Sequence, residues 1–257
     1  MSKNVTKTEE KPSQVAVISN ELPAYLASKT KGARGMEDVT ANDVIIPRLE
    51  VVQSLSPARD KTSPLYIAGS EEGMFYNNVT RELYGSEVLV VPVVYKKQWL
   101  IWKDRKVAGG GAGGFRGACN TELEAKQRIL NELSEEQGLE VVETAQHFCY
   151  LLRGDGRMEE IVLSMAKSKL KVSKRWNSLM RIAEDDCFTR VYKVSAVVEQ
   201  NAKGDKFQNV SIANAGYAPE AVYLKAEKLY TQISKGGVVV SNDYEGEASG
   251  QKDETEF

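Results

Sequence analysis

Residues 166 to 183, AKSKLKVSKRWNSLMRIA, hold Lys167, Lys169, Lys171, Lys174, Arg175 and Arg181, one tryptophan at 176, and no acid. A second segment, VVYKKQWLIWKDRK at 93 to 106, sets Tyr95, Trp99 and Trp102 among Lys96, Lys97, Lys103, Arg105 and Lys106. All three tryptophans of the chain fall in these two segments. Cations neutralise phosphates and aromatic faces stack on bases, which is the recipe for holding single-stranded nucleic acid. The candidate binding residues are therefore Tyr95, Lys96, Lys97, Trp99, Trp102, Lys103, Arg105, Lys169, Lys171, Lys174, Arg175 and Trp176.

A structural reading competes at Trp176. Val172, Trp176, Leu179, Met180 and Ala183 recur at helical spacing, which makes Trp176 a core anchor and the cations a solvated face. That reading leaves the lack of acidic partners unexplained, because a helix that only needs solubility mixes signs. Ahead of the helix, SKLKVSK alternates and would put Lys169 and Lys171 on one side of a strand. Trp99 and Trp102 lie three apart in a strand-like run. They cannot both face one core, so one is expected exposed or at a bulge, with Tyr95, Phe115 and Phe207 as reserve aromatics.

Other chemistry is poorly supplied. The chain has one histidine, His147, and three cysteines, Cys119, Cys149 and Cys187, with no CxxC pair. That set does not match structural zinc, and buried reduced thiols are expected. No G-x-S-x-G turn accompanies the histidine. The glycine-rich GGGAGGFRG at 109 to 117 lacks the GK[ST] that ends a phosphate loop. Glu159-Glu160 and Glu184-Asp185-Asp186 are the tight internal acid clusters that a metal nuclease would need. Binding without bond chemistry, and without a cofactor or metal, is the expectation.

The 257 residues are 42% hydrophobic and 27% charged, ordinary for a globular protein. No apolar run is long enough for a membrane helix, and MSKNVTKTEEKPSQ lacks the apolar centre of a signal peptide. A protein that stays in the cytoplasm of the cell that makes it is expected. Residues 1–41 read as a flexible segment, with ELPAYLASK as a short helix. An ordered domain spans 42–237. Strands are expected through NDVIIPRLEVVQ and from Gly73 to Arg105, with Asn77-Asn78 and Gly85 as turns. Two hairpins are expected, around Asp155-Gly156 and Lys203-Gly204. A helix over 120–138 would carry Leu123, Ile129, Leu130 and Leu133 on one face, capped by Asn120 or Thr121 and ended at Gly138. A last helix, after Pro219, would carry Val222, Ala226, Leu229, Tyr230 and Ile233 and stop at Gly236. The order is mainly β with inserted helices (α+β), and a small antiparallel barrel with long insertions fits it best.

The last fifteen residues, DYEGEASGQKDETEF, hold six acids and one lysine. Without them 30 acidic and 33 basic residues remain, so the body is weakly cationic and the negative balance belongs to the tail. Residues 238–257 are expected to be disordered. They end on Phe257, an apolar residue at a carboxylate.

Body and tail together resemble the single-stranded DNA-binding proteins of tailed phages. The resemblance is carried by Lys169-Leu170-Lys171-Val172, by Arg175-Trp176-Asn177, by the terminal DETEF, and by VIIPRLEVVQ and GMFYNNVTRELYG. It implies an OB-fold-like, partly closed barrel and an acidic tail. It implies a protein that coats single-stranded DNA in phage replication or recombination. If phage-encoded, it stays in the cytoplasm of the host cell. Asp253, Glu254, Glu256 and Phe257 would then dock on a DNA polymerase, a helicase or another replication protein. A strand-annealing factor or a transcription activator on the same core is the alternative, and a nuclease the more distant one.

Overall fold

In the computed structural model, residues 46–103 and 114–234 are described, together with Gly35. All but Gly35 belong to one compact unit, Thr40–Phe257. The expected N-terminal helix, the glycine-rich run at 109–113, Arg105, and the tail with Asp253, Glu254, Glu256 and Phe257 lie outside the described residues.

The organising element is β4, Glu87–Lys103, a strand of 17 residues. Its first half, EVLVVPVV, is nearly continuous apolar sequence. Such a run suits a strand covered on both faces. Val88 and Val90 enter one core, and Val91 and Val93 another. Along one edge β4 pairs with β6, Leu139–Leu152, from Leu89↔Leu152 to Lys103↔Leu139. Its other edge is shared. Glu87 to Val90 pair with β8, Arg190–Gln200, and Trp99 to Lys103 pair with β5, Gly114–Cys119. Between them the Cys187 thiol donates to the Val93 carbonyl at 3.1 Å.

Two hairpins complete this antiparallel sheet. β6 returns as β7, Met158–Ala166, through Asp155-Gly156, where Gly156 has φ +81° and the Asp155 carboxylate accepts from the Arg157 amide. β8 returns as β9, Lys206–Tyr217, through Gly204 at φ +93°. Both turns need a residue that tolerates the left-handed region, and glycine supplies it. The strand order is β7-β6-β4-β8-β9, with β5 on β4.

A second sheet of three short strands packs against the first core: β1 (Leu49–Val51), β2 (Phe75–Asn77) and β3 (Leu83–Gly85). Leu49, Val51 and Phe75 join Val90, Leu151, Ile161, Leu163 and Val194 there. This sheet touches both outer strands of the large one. On one side the Val162 amide donates to the Pro47 carbonyl at 2.8 Å. On the other, the Gln53 side chain stands in for a peptide group. It donates to the Gln208 carbonyl at 2.9 Å and accepts from the Gln208 amide at 2.8 Å. The structure is thus mainly β with antiparallel sheets, and the described strands do not close into a barrel by pairing.

Among the described residues, three α-helices are inserted. α1, Glu122–Glu132, begins as expected: the Thr121 hydroxyl accepts from the Glu124 amide at 3.1 Å. Its apolar face is a correction. Ala125, Ile129 and Leu133 pack on β4 and β6, whereas Leu123 and Leu130 are exposed. Positions four apart stack on one stripe, and the two leucines lie off it. α2, Leu170–Ile182, continues a 3-10 turn at Lys167–Lys169. Lys169 and Lys171 are therefore helical, not alternating on a strand. α3, Glu220–Ser234, buries Ala226, Leu229 and Ile233 in the second core and leaves Tyr230 largely exposed.

Replacing Gln53 with Ala removes both hydrogen bonds to β9 and is expected to cost about 1–3 kcal/mol. Hydrogen exchange at the Gln208 amide should accelerate while the β8–β9 ladder stays protected. Unchanged exchange at Gln208 would show that the small sheet does not depend on this bridge.

Candidate nucleic-acid interface

The two cationic segments lie on different elements, β4 and α2, more than sixty residues apart in sequence. A row of rings joins them. Tyr95 and His147 are register partners across β4 and β6, with ring centroids 5.1 Å apart. His147 stacks on Trp176 of α2 at 4.4 Å and 20°. Trp176 meets the edge of Tyr192 on β8 at 5.6 Å. Tyr95 is 40% exposed while His147 and Trp176 are buried, so the row runs from the surface into the core.

Trp176 is fully buried and packs in the first core, out of reach of a base. Its assignment as a stacking residue is corrected: it anchors α2. Ser173, one turn earlier, holds the helix from the same side, with its hydroxyl 2.8 Å from His147 Nε2. Sequence reasoning passed over His147 and Ser173 as site builders. The signal lay in the alternation of HFCYL, which puts His147 on the same face as Cys149 and Leu151. Burial depresses the His147 imidazole from its ordinary range to about 3. It is therefore a neutral ring at physiological pH, suited to lie flat on an indole.

The cations of α2 divide into two kinds. Lys174, Arg175 and Arg181 are exposed, Lys169 is half-buried, and none of them makes an ion pair among the described residues. Lys171 is exposed but paired with Glu199 of β8 at 3.0 Å. The helix start has no acid in its first turn and no side-chain cap. Cations there oppose the helix dipole, so an external anion is favoured.

The β4 segment is split by the strand's own alternation. Tyr95, Lys97, Trp99 and Lys103 leave the face on which α1 and α2 pack, while Lys96 and Trp102 leave the other. Lys97 reaches Glu143 of β6 at 2.9 Å and lies over the Trp99 ring at 5.5 Å. The Glu143 hydrogen bond holds its ammonium above the ordinary lysine range against a small desolvation effect. Trp99 is half-buried against the α1 core. Trp102 is half-buried against Phe115 at 5.8 Å, beside the β4–β5 register shift at Ile101/Trp102. The extra residue at that shift is Arg116 on β5; β4 itself runs regularly through both tryptophans, which lie on opposite faces and are each half-buried, so neither is the exposed or bulged ring that was expected. Lys96 lies over the Phe148 ring at 5.6 Å. Lys103 and Arg116 share Glu136, whose carboxyl they hold below the usual range. Phe207 is half-buried on β9.

The acid clusters are dispersed. Glu159 accepts from the Tyr84 hydroxyl at 2.7 Å and Glu160 from Tyr150 at 3.1 Å. Asp185 pairs with Arg190 at 3.7 Å, and Asp186 accepts from Tyr223 at 2.9 Å. Among the described residues, no group of three or more His, Cys, Asp or Glu side chains could hold a metal ion. A cleft of about 560 Å³ lies on the α3 side of the sheet. It is lined by Tyr150, Glu160, Lys225 and Lys228 and carries charges of both signs.

The family model for the Pam3 phage gp34-like protein matches residues 13–239, and the chain belongs to that family. No curated protein and no solved structure matches it.

The His147 imidazole gives the packing of α2 on the sheet an acid limit. Its folded pKa, about 3, lies below the unfolded value near 6.5, so between these the unfolded chain binds the extra proton and stability falls as pH falls. Between pH 7 and pH 5 this group alone is expected to remove roughly 2 kcal/mol. Denaturant titrations at both pH values check it. His147→Gln should lose that increment of pH dependence, whatever its effect at pH 7.

Proposed function

We propose that the chain binds and coats single-stranded DNA, without marked sequence preference, during phage DNA replication or recombination. The observation that carries this reading is the Tyr95–His147–Trp176 row, which sets a surface tyrosine of β4 beside a helix whose Lys174, Arg175 and Arg181 are exposed and make no ion pair among the described residues. Lys169, Lys174 and Arg175 would neutralise phosphates, and Lys97 and Lys171 would join them on leaving their carboxylates. Tyr95 would stack on a base and Trp99 would offer an edge. Aromatic stacking accepts any base, as a coating protein requires. Membership in a phage family is consistent with that setting.

The small sheet supports an OB-like reading of the core. It reaches β7 through the Pro47 carbonyl and β9 through the Gln53 amide, so the two outer strands of the open ladder are bridged by one small sheet. In this proposal the acidic tail, ending on Asp253, Glu254, Glu256 and Phe257, recruits replication partners such as a polymerase or helicase. It also competes for the cationic face when DNA is absent. The action is binding rather than bond chemistry, in the host cytoplasm.

Fluorescence anisotropy with single-stranded and duplex oligonucleotides across a salt series tests this. Single strands should bind more tightly, with a log–log salt slope of about -0.7 per phosphate contacted. Lys174→Ala and Arg175→Ala should each make the slope shallower by roughly one contact. Tyr95→Ala should cost about 1–3 kcal/mol of affinity with the salt slope unchanged. Salt-independent binding, or an equal affinity for duplex, overturns the reading.

A further inference from the structure

Four lysines around the two segments are each held by a glutamate from another element. The pairs are Lys97–Glu143 at 2.9 Å, Lys103–Glu136 at 3.1 Å, Lys167–Glu140 at 3.3 Å and Lys171–Glu199 at 3.0 Å. Two of them are placed to exchange partners. The Lys97 and Lys171 side chains are 42% and 66% exposed, and their glutamates about one third. Glu199 is fixed independently of the lysine, since it also accepts from Asn209 Nδ2 at 2.8 Å. Partial burial pushes its carboxyl up, but Asn209 and Lys171 outweigh this and leave it below the usual range. It is therefore a resident anion at the start of a helix that has no acid in its own first turn.

We infer that Glu143 and Glu199 are internal competitors for phosphate, which restrain the affinity of the proposed single-strand site and soften its response to salt. This rests on the functional reading above. A carboxylate and a phosphodiester present the same kind of anionic oxygen to an ammonium group, and the lysine carries one charge to share. When the strand arrives, Lys171 must leave Glu199 or hold both anions close together. Either way the glutamate loses compensation next to a polyanion. It then takes up a cation from solution, which cancels part of the counterion release that drives binding. The same carboxylate recaptures the lysine when the strand leaves, which favours rapid release from DNA that is about to be copied. Lys174 and Arg175 have no such competitor among the described residues and supply the uncontested part of the attraction.

The test uses the full chain and a labelled oligothymidylate across a salt series. Glu199→Gln keeps the shape and still accepts from Asn209, but removes the charge. It is expected to tighten binding at low salt, by up to about 5-fold for a half-exposed pair, and to steepen the salt slope. Glu143→Gln should act in the same direction from the other cluster, so the inference survives if one variant misfolds. In a Lys171→Ala background Glu199→Gln should lose most of its effect, because the coupling partner is gone. Binding by the wild type with unchanged or weaker binding by both folded glutamine variants overturns this inference alone. No binding by any of these proteins overturns the functional reading and this inference with it.

Discussion

The stack of His147 on Trp176 is the contact through which the sheet and the cationic helix become one surface. The His147 ring lies 4.4 Å from the Trp176 indole in the core, where burial favours the uncharged imidazole. Desolvation of His147 secures that at neutral pH. The Ser173 hydroxyl takes one ring nitrogen, and the helix is pinned by two positions one turn apart. Everything cationic on α2 is then carried on residues between and beyond those pins. The helix can therefore present lysine and arginine without asking them to hold it in place.

β4 does the corresponding work in the sheet. From Val90 to Val93 it is buried on both faces, and its first half fixes the register of β6 and β8. Its second half, still paired to β6, carries side chains that alternate between the α1/α2 face and the other. One strand is thus both core and platform. Continuous pairing of 14 register partners, broken only at Pro92/Val94, keeps the platform rigid. Charge is balanced locally on this platform, with glutamates of β6, β8 and the α1–β6 connection answering lysines of β4 and α2. A surface of this kind does not repel itself when empty, yet Lys174, Arg175 and Arg181 of α2 make no ion pair among the described residues and would begin the proposed encounter with a polyanion.

Local signals in the sequence were legible. The Asp155-Gly156 and Lys203-Gly204 hairpins, the Thr121 cap and the stripe of the last helix each depend on residues within a few positions. The role of Trp176 was ambiguous because periodicity gives a face but not what covers it, and the cover is His147 from β6. The carboxylate partners were illegible for a related reason. Glu199 is 28 residues from Lys171, and that pairing follows from how the β8–β9 hairpin lies beside α2, not from any motif. The sheet order was hidden as well. Two strands, β5 and β8, share one edge of β4, and the bridge to β9 is made by a side-chain amide. Neither leaves a periodic trace.

The central claim is that β4 and α2 form one nucleic-acid surface. Photocrosslinking of the full chain to a single-stranded oligothymidylate, with the modified residues mapped by mass spectrometry, tests it most directly. The account predicts crosslinks in both segments, at Tyr95 or Trp99 and between Lys167 and Arg175, lost together as salt is raised. Crosslinks confined to the α3 cleft around Lys225 and Lys228, or absent from both segments, would contradict it.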